Sequence, residues 1–177
     1  MGVSAKNTGP TSNVRWMLIV GRFLVVCTVV IFVLFLYRSA GYIAVTRSYG
    51  CIEDTVALVD QVNLSVDRES GLFVDEASEA ADAAAGAAEV IESRGECLTG
   101  IVSYLASDLV EKQRAVDVTA SAYLTEVGRV SENAAAGADT WDETDSLAVS
   151  YDRYQTAISA FESTLSEIES RFFLVVQ

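Results

Sequence analysis

The chain contains no histidine. That absence excludes Ser-His-Asp triads, Cys-His nucleophile pairs, zinc–histidine sites and the Glu-x-x-His ligands of di-iron bundles. No C-x-x-C-H run is present for covalent haem attachment, and no glycine-rich loop is present to cradle phosphate. Proline occurs only at Pro10 and lysine only at Lys6 and Lys112. Acidic residues are missing from the first 52 positions, and all 25 Asp and Glu fall at or after Glu53. No strand-like alternation and no internal repeat is evident. These absences predict an all-α protein that is not an enzyme and carries no cofactor and no metal.

The strongest feature present is an apolar run. Trp16 to Tyr37 reads WMLIVGRFLVVCTVVIFVLFLY, with Arg22 its one charge. About 20 such residues cross the hydrocarbon core of a bilayer as a helix. A buried core helix of the same composition needs a larger domain to wrap it than the rest of the chain supplies. Residues 14–45 are therefore read as a transmembrane helix with its juxtamembrane segment. A cleaved signal peptide is the competing reading, but signal h-regions run only about 7–15 residues. Leu24-Val25-Val26-Cys27 lacks the small residue that a lipobox has before its cysteine.

The flanks set the orientation. Lys6 and Arg15 precede the run, and basic flanks stay cytoplasmic. Arg38 and Arg47 on the other side oppose this only in part. Trp16 and Tyr37 suit the two interfacial aromatic belts, and Arg22 is placed to snorkel to the cytoplasmic headgroups or to meet a partner there. The expected localisation is the cell membrane, single-pass, with the N-terminus inside and the C-terminal domain outside. Residues 1–13, polar with Gly, Pro and Ser, read as a disordered cytoplasmic tail.

From Cys51 onward seven Lys and Arg stand against 25 Asp and Glu. Such a field repels nucleic acid and disfavours lying flat on anionic lipid. Residues 51–177 suffice for one core and read as an extracytoplasmic antiparallel helical bundle. Ile52, Val56, Val59, Val62 and Val66 keep helical spacing and stop at a turn near Gly71. A second helix, 74–93, buries Ala77, Ala80, Ala84 and Ala88 and ends in Val90 and Ile91, with Gly95 as its stop. A third keeps Leu98, Val102, Leu105, Leu109, Val116, Ala120, Tyr123, Val127 and Val130 on one stripe that Lys112 interrupts, and Gly137 ends it. Thr140-Trp141-Asp142-Glu143 matches a capping box. The last helix carries a heptad seam: Leu147, Tyr151, Tyr154, Ile158, Phe161, Leu165, Ile168, Phe172 and Val175. Asp139, Asp142, Glu143 and Asp145 cluster at its start without the EF-hand pattern.

The cysteines choose the topology. Cys27 lies inside the membrane run, and Cys51 and Cys97 are both exported, where a pair is expected to bond. On one continuous helix the two would stand about 60 Å apart, whereas a disulfide needs Cα atoms within about 7 Å. A reversal near Gly71 brings them together, so the bundle is predicted to have four helices with the first two as a hairpin. The chain then returns toward the membrane and ends Phe172-Phe173-Leu174-Val175-Val176-Gln177. Apolar on every face, that end is expected to touch the bilayer or a partner.

An anchor, a short inner tail, an acidic helical exported body and missing chemistry make up the plan. It resembles the small single-pass accessory subunits of actinobacterial respiratory cytochrome supercomplexes. The likeness is one of layout and assigns no site residues. It implies an accessory role, with membrane lipid and integral membrane proteins as partners. The other classes compatible with the plan are an ectodomain that binds a ligand or an envelope component and a protein that assembles through its heptad helix. Receptor signalling needs an output domain that about 15 inner residues do not supply.

Overall fold

The computed structural model describes residues 11–66, 74–140 and 143–173. Residues 1–10 of the tail expected at 1–13 and the turn near Gly71 lie outside them, and residues 11–13 of that tail are helical. Five α-helices and no strand occur among the described residues: α1 (Thr11–Val66), α2 (Val74–Ser93), α3 (Ile101–Leu105), α4 (Ser107–Ala135) and α5 (Thr144–Phe173). The chain divides into two compact units, 1–39 and 40–177, and α1 contributes to both.

In the first unit α1 is long and apolar enough to cross a membrane. The described side chains from Trp16 to Tyr37 are exposed, except that Cys27 is half-buried. Leaving so much apolar surface in water opposes the hydrophobic effect at about 25 cal/mol per Å². Thr28, the hydroxyl within the run, donates back to the Leu24 carbonyl at 2.8 Å and needs no outside partner.

In the second unit α1 continues through Gly41 and Gly50 without a break. A lone glycine in a helix costs only about 1 kcal/mol, and Ala44, Ser48, Ile52, Thr55, Val59 and Val62 form a buried stripe on either side of Gly50. Hydrogen bonds fix how this segment meets α4. Thr55 bonds Asp117 and Asn63 bonds Tyr123, so the two helices run in the same direction with their numbering offset by 62 and 60. Helix α2 runs the opposite way, because Cys51 meets Cys97 and Thr55 meets Arg94.

Helix α2 buries the four expected alanines, and Ala81, Ala87 and Ile91 with them, whereas Val90 points out. Small side chains let α4 approach closely. A Cβ at Gly128 would lie 3.7 Å from the Ala81 carbonyl oxygen and 3.8 Å from the Ala84 Cβ. The third predicted helix is divided. Gly100 turns the chain with φ 69°, α3 is a short helix of five residues, and Ala106 leaves helical geometry at φ −125° and ψ 43° before α4 starts. The dislocation lets Leu98 and Ala106 both reach the core, and Leu105 faces out instead. Along α4 the position between Leu109 and Val116 is filled by the buried Gln113, with Lys112 half-buried beside it. At the end of α4 the Ala138 N–H donates to the Asn133 carbonyl and the Gly137 N–H to that of Ala134, both at 2.9 Å. With Gly137 at φ 75° this is a Schellman stop. Helix α5 buries Tyr154, Phe161, Leu165 and Ile168 of its heptad seam and half-buries Leu147 and Ile158.

Candidate functional site

A polar constellation that joins three helices lies where α1, α2 and α4 meet at the disulfide. Cys51 and Cys97 are bonded with their Cα atoms 6.5 Å apart. One helical turn further along α1 is the fully buried Thr55. Arg94, the residue after α2, donates through Nη1 to the Cys51 carbonyl at 2.7 Å and to Thr55 Oγ1 at 3.0 Å. Thr55 in turn donates to Asp117 Oδ1 at 3.0 Å. Burial pushes the Asp117 carboxyl above its usual range, although hydrogen bonds from Thr55 and Gln113 and the nearby Arg94 charge pull the other way. One arginine thus ties the carbonyl of a bonded cysteine to a partly desolvated carboxylate on a third helix.

Arg94, Gln113 and Asp117 of this constellation line an open groove of about 600 Å³ between the end of α2 and α4. Its rim is charged: Arg114 pairs with Glu96, and Ser121 donates to Glu92 at 2.6 Å. Val110 and Val118 supply apolar floor. The groove offers cationic, anionic and apolar contacts within one cleft, with its carboxylates already engaged by neighbouring side chains.

Two further clusters tie α4 to α5. Arg129 grips Glu126 through two bonds of 2.7 and 3.0 Å and reaches Glu143 at 2.7 Å. Asn133 donates to both Glu143 oxygens, at 3.0 and 3.1 Å. Glu143 therefore serves α4, not the start of its own helix as a capping box would have it. Its carboxylate is thus committed to side chains of α4, and Asp142 of the same acidic cluster lies outside the described residues. The Arg129 bonds, with one from Ser146, lower the Glu126 carboxyl to about 2. The second cluster is aromatic. Tyr123 lies 5.2 Å from Tyr151 and 6.3 Å from Tyr154 between ring centroids. Tyr123 donates to Asn63 Oδ1 at 2.6 Å, and burial raises its hydroxyl to about 12. The Tyr154 hydroxyl is buried without a hydrogen-bond partner, and burial raises its pKa as well.

Of the residues singled out from sequence, Cys51 and Cys97 lie at the centre of the polar constellation. Arg22 is exposed on α1 in the first unit. Phe172 and Phe173 close α5, with side chains outside the described set, and Leu174, Val175 and Val176 lie beyond the described residues. Arg94, Thr55, Gln113 and Asp117 were not anticipated. A faint signal existed in Gln113, a polar residue four after Leu109 and three before Val116 on an apolar stripe.

No protein-family model, no curated protein and no solved structure matches the chain.

Proposed function

We propose that this chain is a non-catalytic, single-pass membrane protein acting as a structural or accessory subunit of a larger membrane complex, with a respiratory-chain supercomplex as the candidate assembly. The observation that carries the reading is the run of exposed apolar side chains from Trp16 to Tyr37, which asks for lipid or for the helices of other membrane proteins around it. The charge asymmetry of the flanks supports a cytoplasmic N-terminus and an extracytoplasmic body. That body is taken as an antiparallel bundle of four helices whose first two form a hairpin closed by Cys51 and Cys97. The polar groups described above act as braces between its helices. Purification of the full chain in mild detergent, with mass spectrometry of what co-elutes, tests the assignment. Integral membrane proteins in fixed stoichiometry are the expected result, and a lone monomer in every mild detergent tried would overturn it.

The groove beside Arg94 favours a second reading, an ectodomain that binds a small ligand or an envelope component. Its size falls within the range of small-molecule sites. A copurifying small molecule lost on R94M substitution would move the balance to this reading.

A further inference from the structure

We infer that the end of the 40–177 unit that carries α3 sits in the headgroup layer of the bilayer, with Ile101 and Tyr104 as its lipid-facing contacts. The inference rests on the membrane-spanning reading of residues 16–37 and extends it to a second, separate contact with the same bilayer.

Three observations lead there. The first is exposure. In α3, Ile101 is 78% exposed, Tyr104 86% and Leu105 41%, three large apolar side chains within five residues. On α1, Tyr49 is 60% exposed.

The second is charge. Between Ala40 and Ile52 the only charged residue is Arg47, and between Cys97 and Ser107 there is none. A chain with 25 carboxylates has kept them out of these two segments. The charges that border them in sequence are mixed in sign: Arg38 and Glu53 flank the first segment, and Glu96 and Asp108 the second. A carboxylate facing lipid is costly, while tyrosine, with an apolar ring and a polar tip, suits the interface.

The third is level. Thr55 is bonded to Asp117, 62 residues later, and α4 runs parallel to α1. The same offset sets Ser107, the first residue of α4, beside Val45. Helix α3 ends two residues earlier, at Leu105, and starts four residues after Cys97, within about 14 Å of it even on an extended chain. It therefore lies beside the 40–52 segment, whose residues Val45 and Cys51 stand level with the two ends of this stretch. Ala40 comes three residues after Tyr37, the end of the spanning stretch, so chain continuity keeps the start of that segment close to the lipid boundary. Gly100, with its positive φ, turns the chain into α3. The tight turn and the short helix present Ile101 and Tyr104 outward, although burying them in the core would favour the isolated fold.

The test uses the full chain with C27S, the disulfide intact, reconstituted into phosphatidylcholine nanodiscs. Single cysteines carrying a nitroxide are placed at Tyr104 (Y104C), at Val30 in the spanning run (V30C), and at Val149, exposed on α5 (V149C). Collision rates with oxygen, which concentrates in lipid, and with a water-soluble nickel chelate are compared. The oxygen-to-nickel ratio at position 104 is expected to lie between the other two and several-fold above that at 149. A ratio at 104 equal to that at 149, with 30 still in lipid, overturns this inference and leaves the spanning helix standing. An aqueous ratio at 30 overturns the spanning reading and this inference with it. Shielding of 104 from both reagents means that protein covers α3, which also overturns the inference. Because all three positions are exposed, the labels do not disturb the core, and a circular dichroism melt of each variant confirms folding.

Discussion

Val25 and Val26 stand in the first unit of this protein and Val116 and Val127 in the second. The side chains are chemically the same. The first two are exposed and the second two are buried. What separates them is the neighbourhood along the helix. Around Val25 apolar residues occupy every side of the helix, with Arg22 and Thr28 the only polar neighbours within a turn, so no rotation of the helix hides one face and shows another. Around Val116 apolar and polar residues alternate at helical spacing, so one stripe faces a partner and the rest faces water. Hydrophobicity says that a residue leaves water, and periodicity says whether protein or lipid receives it.

The contrast can be broken by experiment. Phe161 in α5 and Phe32 in the apolar run offer the widest test. F161A opens a cavity in the core and should cost about 3–5 kcal/mol of unfolding free energy. F32A should leave the melting of the 40–177 unit within about 0.5 kcal/mol of the parent. Equal losses would mean that the apolar run is a second protein core. The disulfide comes next. The double substitution C51S/C97S should lower stability by about 2–5 kcal/mol, read as a fall in the melting temperature of the same size as reduction of the parent produces. R94M removes the brace between the Cys51 carbonyl, Thr55 and Asp117, and should cost about 1.5–3 kcal/mol. Adding D117N to R94M should recover part of that loss, because a desolvated carboxylate is then no longer left without its cation.

A smaller effect of opposite sign is expected at Tyr154. Its buried hydroxyl has no partner, so Y154F should raise stability by up to about 1 kcal/mol in denaturant titrations. The smallest effect concerns pH. In the folded chain the Glu126 carboxyl is held at about 2, below its ordinary 4.5, chiefly by Arg129 and then Ser146. A depressed carboxyl stabilises the fold above its unfolded value, and that contribution fades as pH falls from about 4.5 toward 2. E126Q should flatten the stability profile within that window and leave it unchanged at neutral pH apart from a constant offset. The pair is partly exposed, so salt should shrink the effect.

Much of the helical plan was legible because burial follows period. The alanines of α2 and the heptad positions Tyr154, Phe161, Leu165 and Ile168 of α5 stand inside as the spacing required. The pairing of Cys51 with Cys97 was expected of two cysteines read as exported, and length then required a reversal between them, since one continuous helix would hold them far apart. Other features were not legible. Leu105 fits the stripe that runs into α4, yet it faces out, because the chain is dislocated at Ala106 and the disulfide and Gly100 set its entry. Glu143 has the spacing of a capping box, yet its carboxylate goes to Arg129 and Asn133. Arg94, Thr55 and Asp117 are far apart in sequence, and no local pattern links an arginine after one helix to a threonine and an aspartate on two others.

The sequence by itself determined the kinds of segment: an apolar run without a polar face, amphipathic helices with one face each, and acidic charge kept to the second part. These follow from composition and local spacing, because transfer from water depends on each side chain and its near neighbours. Only the tertiary structure decided which polar groups meet at the disulfide, that α3 turns its apolar side chains outward, and that Tyr154 keeps an unpartnered hydroxyl. Those outcomes depend on contacts between residues 30 to 60 positions apart, whose geometry is set by how whole helices pack.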